Sequence, residues 1–409
     1  MLHKDTPDLS KVLETAVRPV KAAGRAVEDT AELLQTSGEL TRGNGMITGV
    51  LALTLAFLCF LGVLAFHFPQ YLTTPELRQK YSVDFLRIIM TTSLVTAGGL
   101  ALANLLFSRS RSLNAVALTL VIAVVALGGA QVPVGDFPDN TPYIGLDWFI
   151  LDLLGSTLIF VLIEKLFPLY KGQQLFRKEW QTDMVHFMVN HFAVGLVLLV
   201  VNLMVQRLFG WLVRNDFQTA VQGIPLVPQL LLCILVADFM QYWTHRAYHE
   251  IPSLWKFHAV HHSAKTMDWL AGSRMHILEL FVTRIAVLGP LFVFGFSKPV
   301  MDLYIVVVGF QAVFNHANVH LNWGPLRHIV VTPDFHHWHH ASDREAIDKN
   351  YAAHFAFLDR LFGTDIKNPS RQFPEKYGVV GTYMPDGFLN QQSAPFRQLW
   401  KKATKKNPG

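Results

Sequence analysis

Residues 224–250 read IPLVPQLLLCILVADFMQYWTHRAYHE. The first twenty of them, 224–243, are apolar enough and long enough to cross a hydrocarbon core of ~30 Å, which takes about 20 helical residues. The run then continues into His245 and His249, four residues apart and so on one face of one helix. Asp238 stands inside the span, seven residues before His245 and nearly on the same face. A carboxylate there is expensive and usually functional. A membrane helix that delivers imidazoles at its end is therefore the first expectation.

Working outward, seven further stretches have the same apolar character: residues 46–66, 88–107, 114–134, 148–167, 184–205, 277–296 and 299–315. The composition agrees, with 51% hydrophobic and 16% charged residues in 409. The fold class expected is all-α: a multi-pass transmembrane helical bundle of about eight spans, with a helical cap on the cytoplasmic face. Lys and Arg weight the connections that follow the second, fourth and sixth spans, whereas residues 135–147 carry none, which puts both termini in the cytoplasm. The net charge of +5 comes with no basic patch interleaved with aromatics, so no nucleic-acid partner is expected. Lys401, Lys402, Lys405 and Lys406 form a short basic tail suited to anionic lipid or solvent. Cys59 and Cys233 lie in separate apolar runs and read as core residues rather than a disulfide. The organisation expected is an N-terminal cytoplasmic segment over 1–45, with an amphipathic helix as one reading, and an accessory membrane region over 46–135. A membrane scaffold over 147–223, a catalytic domain over 224–366 and a cytoplasmic tail over 367–409 follow. Residues 1–45 are too polar for a cleavable signal peptide.

Fourteen of the 18 histidines lie between His245 and His354. Besides His245 and His249 there are His258, His261 and His262; His316 and His320; and His336, His339 and His340. Spacings of three and four put each group on one helix face. Thr332-Pro333-Asp334 reads as N-cap, proline at the first helical position and an acid in the first turn, and Pro252 opens the helix of the second group in the same way. The helix order returns all four groups to one membrane face. Neutral imidazole suits iron, zinc, copper or nickel, and nine or ten rings are about right for two ions. The paired Glu of ferritin-like sites and the His-Glu-x-x-His of metalloproteases are absent, since Ser253 stands where the second His is needed. His186, His191 and His328 read as lone structural histidines.

The stretches at 238–250 (DFMQYWTHRAYHE), 257–263 (FHAVHHS), 315–319 (NHANV), 332–341 (TPDFHHWHHA) and 348–364 (DKNYAAHFAFLDRLFGT) resemble the fatty acid hydroxylase and sterol desaturase superfamily of membrane di-iron enzymes. The likeness covers about a third of the chain. It implies His245, His249, His258, His261, His262, His316, His320, His336, His339 and His340 as ligands of two iron ions, with His276 as an additional ligand candidate. His337 is left out, and His354 reads as structural. Ligating imidazoles need their outer nitrogen held; Asp238, Asp334, Asp343 and Asp348 are the carboxylates expected to do so. Arg274 and Glu279 read as an ion pair at the membrane boundary.

The activity implied is O2-dependent hydroxylation or desaturation of a lipid, with O2 as co-substrate and no tightly bound organic cofactor. No Gly-x-Gly-x-x-Gly or cysteine cluster is present, so a separate donor, ferredoxin or cytochrome b5-like, is the implied electron source. A histidine-rich metal transporter is the competing class, but it would set its ligands near the membrane midplane. A bis-histidine heme protein would need paired histidines on facing spans, for which His186 and His191 are poorly placed.

Overall fold

The computed structural model describes residues 45–73, 82–107, 111–135, 146–366 and 373–406. The N-terminal segment read as an amphipathic helix candidate lies outside them. The described residues are helical, with no strand beyond isolated bridges such as Pro168 with Val319. Six helices are long and apolar enough to cross a membrane by length and composition: Thr48–His67, Val83–Phe107, Arg111–Gln131, Leu226–Glu250, Ile277–Phe294 and Lys298–His316. The chain is thus an integral, multi-pass helical bundle. It divides into two compact units, one of residues 1–159 with 171–176, the other of residues 160–170 with 177–409.

The first unit packs α1 (Met46–His67), α2 (Val83–Phe107) and α3 (Arg111–Ala126). Ala52, Ala101 and Ala117 are fully buried where these helices approach. A Cβ on Gly49 would stand 2.8 Å from the Leu113 side chain, so glycine permits that approach. Cys59 and Cys233 are both buried free thiols.

Against the expected count of about eight spans, six are found among the described residues. The stretches at 148–167 and 184–205 do fold as helices, within α4 (Leu146–Leu166) and α5 (Trp180–Phe209), but neither is among the six. Glu164, in the last turn of α4, accepts from the backbone N–H groups of Trp269 (2.8 Å) and Asn318 (2.9 Å). Asp183 and His186, in the first turns of α5, are fully buried against polar partners. Polar partners thus hold the end of α4 and the start of α5.

In the second unit α5 packs on α9 (Ile277–Phe294), and α7 (Leu226–Glu250) packs on both α9 and α10 (Lys298–His316), after a short α6 (Asn215–Gln222). Cys233, Ile234, Ala237, Val287, Leu291, Val300 and Tyr304 form their shared core. The C-terminal ends of α7 and α10 and the N-terminal end of α9 share one end of this bundle. Across that end lie α8 (Pro252–His258), α11 (Pro333–His339), α12 (Phe357–Phe362) and their loops. Helix α13 (Phe388–Lys406) docks there through Gln392, which bonds to Met275 O and Ile277 N.

Candidate metal centre

The centre is built by helix ends. Helix α7 runs unbroken through His245 and His249. Pro333 opens α11 behind the N-cap Thr332, whose hydroxyl accepts from Phe335 N–H, as the local sequence predicts. The second group departs from expectation. Helix α8 ends at His258, and His261 and His262 sit on a separate 3-10 turn, so the three rings do not share one helix face.

The nine rings meet in two groups. His245, His249, His258, His262 and His339 bring their ligand atoms within 4.8 Å of one another, and His261, His316, His336 and His340 do the same. Each His-x-x-His-His motif feeds both groups. His258 and His262 join the first and His261 the second, while His336 and His340 join the second and His339 the first.

The protons decide how these contacts are read. His245 Nδ1–H donates to Tyr351 O (2.7 Å) and His258 Nδ1–H to Glu279 Oε1 (2.6 Å). Both Nε2 atoms are then bare lone pairs, yet they stand 3.0 Å apart. In the second group His261 Nδ1–H donates to Arg274 O and His316 Nδ1–H to Ala312 O, with their Nε2 atoms 3.2 Å apart. Two lone pairs so close repel unless a cation lies between them. Neighbouring nitrogens at about 2.1 Å from one ion stand about 3 Å apart. His249 and His339 add buried Nε2 atoms with no hydrogen-bond partner. The residues therefore fit two metal ions.

Burial also keeps the rings outside the spans neutral. It holds His258, His262, His336, His339 and His340 well below the usual imidazole range, with neighbouring imidazoles adding to the effect. His261 is pushed down to about 4 by the same loss of solvent. Neutral rings offer the lone pairs a metal needs.

Two histidines named from sequence stand outside both groups. Helix α10 ends at His316, where Ala317 turns to extended backbone (φ −61°, ψ 144°), so the four-residue spacing to His320 loses its helical meaning. The His320 ring turns to Asp334 instead (3.0 Å). His276 caps α9, accepting from Leu278 N–H through Nδ1 and donating from Nε2 to Gln392 O. His337, left out from sequence, is fully buried behind the second group. Its Nε2–H donates to Ala317 O (3.0 Å), and its Nδ1 accepts from the Tyr377 hydroxyl (2.7 Å).

The carboxylates divide differently from expectation. Asp348 faces His249 Nδ1 at 3.4 Å. Asp334 holds His320, and one oxygen of Asp343 is buried without a partner. Asp238 meets no ligating ring. It accepts from the N–H groups of Ala353, His354 and Phe355 (2.9, 3.1 and 2.6 Å), fixing the turn beside Tyr351. The carboxylate that sequence reasoning missed is Glu279.

The expected Arg274–Glu279 pair does not form, because each has a better-placed partner. Glu279 serves His258, and Arg274 is fully buried against Asp183 and Glu179. Arg177 extends that network to Asp268 (2.7 Å) and Asp183 (2.5 Å), holding the loop whose Arg274 carbonyl receives His261.

A cavity of about 180 Å³ opens beside both groups, between α7, α9 and α10. His245, His258, His261, His316 and His336 line it at one end, and Ala237, Leu280, Val287 and Val308 make its walls apolar.

An all-α membrane bundle with paired imidazole groups at one end of its spans defines a histidine-motif class of membrane protein. Residues 230–364 match the model of the fatty acid hydroxylase family. The ornithine lipid hydroxylase OlsE of Rhizobium tropici is 30% identical over 264 residues, 62% of this chain and 77% of that protein. The alkylglycerol monooxygenase of Homo sapiens is 35% identical over 133 residues, 32% of this chain and 29% of that protein. A very-long-chain aldehyde decarbonylase of Oryza sativa subsp. indica is 33% identical over 145 residues, 34% of this chain and 53% of that protein. No solved structure matches the chain. The chain belongs to the fatty acid hydroxylase and sterol desaturase superfamily.

Proposed function

We propose that this protein is a membrane-bound, O2-dependent di-iron oxidoreductase that hydroxylates or desaturates a lipid. The observation that carries the reading is the pair of imidazole groups whose bare nitrogens face each other at 3.0 and 3.2 Å. His245, His249, His258, His262 and His339 would hold one iron, and His261, His316, His336 and His340 the other. Bound there, the irons supply the O2 chemistry that removes hydrogen from an unactivated C–H bond.

The chain's own residues do the rest. Glu279 and the carbonyls of Tyr351, Arg274 and Ala312 orient the rings. The apolar cavity walls position a chain and exclude water. A lipid substrate agrees with the names of the three relatives, which refer to an ornithine lipid, an alkylglycerol and a very-long-chain aldehyde. Electrons come from a separate ferredoxin or cytochrome b5-like donor. The distribution of Lys and Arg supports a centre at the cytoplasmic face.

The test is metal analysis of the full chain purified in detergent, followed by incubation with a host lipid extract, O2 and a reductant. The reading expects about two irons per chain. It also expects an O2-dependent product that gains one oxygen or loses two hydrogens. One zinc per chain, or no metal, overturns it.

A further inference from the structure

The cavity contains a cation that the chemistry above does not use. Arg284 lies in the middle part of α9, a helix apolar enough to cross a membrane, and its exposed side chain borders the cavity. Among the described residues it has no hydrogen bond and no ion pair. The carboxylate in the same wall, Glu279, gives one oxygen to His258, and its other oxygen is buried with no hydrogen bond and no ion pair to Arg284. Asp238, on the neighbouring helix, is committed to three backbone N–H groups.

Charge inside a span is costly and is retained where it meets a partner or lines a cavity. Two more polar groups in the same wall, Gln241 and Tyr304, likewise have no hydrogen-bond partner among the described residues. Beside the apolar Ala237, Leu280, Val287 and Val308 and away from the committed imidazoles, a guanidinium, a phenol and an amide make a place for an oxyanion.

We propose, building on the reading of the imidazole groups as a lipid-oxidising centre, that Arg284 binds the carboxylate or phosphate of an anionic lipid substrate, with Tyr304 and Gln241 as further donors. Arg284 stands five residues beyond Glu279, about 7.5 Å along the helix axis. The C–H offered to the metal centre therefore lies within a short chain of the charged group, not at the far end of a long tail. Arg284 sets both the substrate class and the position oxidised.

The test uses the full chain as purified with its metal, in neutral detergent. Nitroxide-labelled chains of equal length ending in a carboxylate, a phosphate or an alcohol are titrated in, and the immobilised fraction is read by electron paramagnetic resonance. Wild-type protein should hold at least one anionic chain about tenfold more tightly than the alcohol, the effect of one partly desolvated charge pair. Arg284→Gln should abolish that preference, leaving alcohol binding and iron content unchanged, and Arg284→Lys should restore most of it. If Arg284→Gln loses iron through misfolding, Tyr304→Phe carries the comparison, with a several-fold weakening confined to the anions. The tighter anion identifies the headgroup. Equal binding of anion and alcohol by wild type, or a preference that survives Arg284→Gln, overturns the proposal. Inorganic phosphate competing as strongly as the alkyl phosphate overturns the lipid assignment. Iron measured on the same samples keeps the two readings apart, since absent iron with an intact anion preference sinks the metal centre alone.

Discussion

An imidazole offers two nitrogens, and whatever holds the outer one aims the inner one. Tyr351 O, Glu279, Arg274 O and Ala312 O do this for His245, His258, His261 and His316. His316 and His320 make the sharpest comparison at this scale. His316→Ala should lose about one metal ion per chain, whereas His320→Ala should lose none, because its ring lies on Asp334. Metal analysis of the two variants checks this, and metal loss in His320→Ala would contradict it. Acid supplies a second test. His261 has a folded-state pKa near 4 against an ordinary value of 6.5, so the folded chain binds fewer protons than the unfolded one between these values. Stability and metal retention are present above the unfolded pKa and decline as pH falls from about 6.5 toward 4. Metal retained after dialysis across that window should fall with acidity, and flat retention would contradict the account. These roles were only partly legible in the sequence. Histidine spacing is local and shows directly, but the acceptors of the outer nitrogens are mostly backbone carbonyls, which no residue type announces. Glu279 was hidden by a plausible neighbour, Arg274, five residues away.

At the scale of elements, what matters is where helices stop. Helix α8 ends at His258, and the turn after it sends His261 to the opposite group from His262. Helix α10 ends at His316, which removes His320. The N-cap of α11 was readable because Thr332, Pro333 and Asp334 act on their own first turn. The ends of α8 and α10 were not, because each is followed by an alanine, Ala259 or Ala317, which favours helix rather than stopping it, and Glu164, which binds Asn318 N–H just past α10, lies far away in the sequence. Asp238 ties α7 to the turn at 353–355, next to the carbonyl that aims His245. Asp238→Asn replaces an acceptor oxygen with a donor facing backbone N–H groups, a loss on the order of 1–3 kcal/mol. The variant should melt several degrees lower and hold metal in the five-histidine group less tightly. Thermal unfolding together with chelator competition reads both, and wild-type values in the two assays would contradict the link.

At the scale of the whole molecule, each of the two units contributes three of the six apolar helices. All nine converging histidines belong to the second. Membrane character was legible from composition. The apolar runs at 148–167 and 184–205 were legible as helices, whereas the polar partners of Glu164, Asp183 and His186 at their ends are tertiary and were not. The central claim is that the nine imidazoles form two iron sites. Anomalous diffraction from crystals of the full chain, recorded on either side of the iron absorption edge, tests it most directly. The account predicts two iron peaks, one enclosed by His245, His249, His258, His262 and His339, the other by His261, His316, His336 and His340. A single peak, peaks outside these rings, or a signal that follows the zinc edge would contradict it.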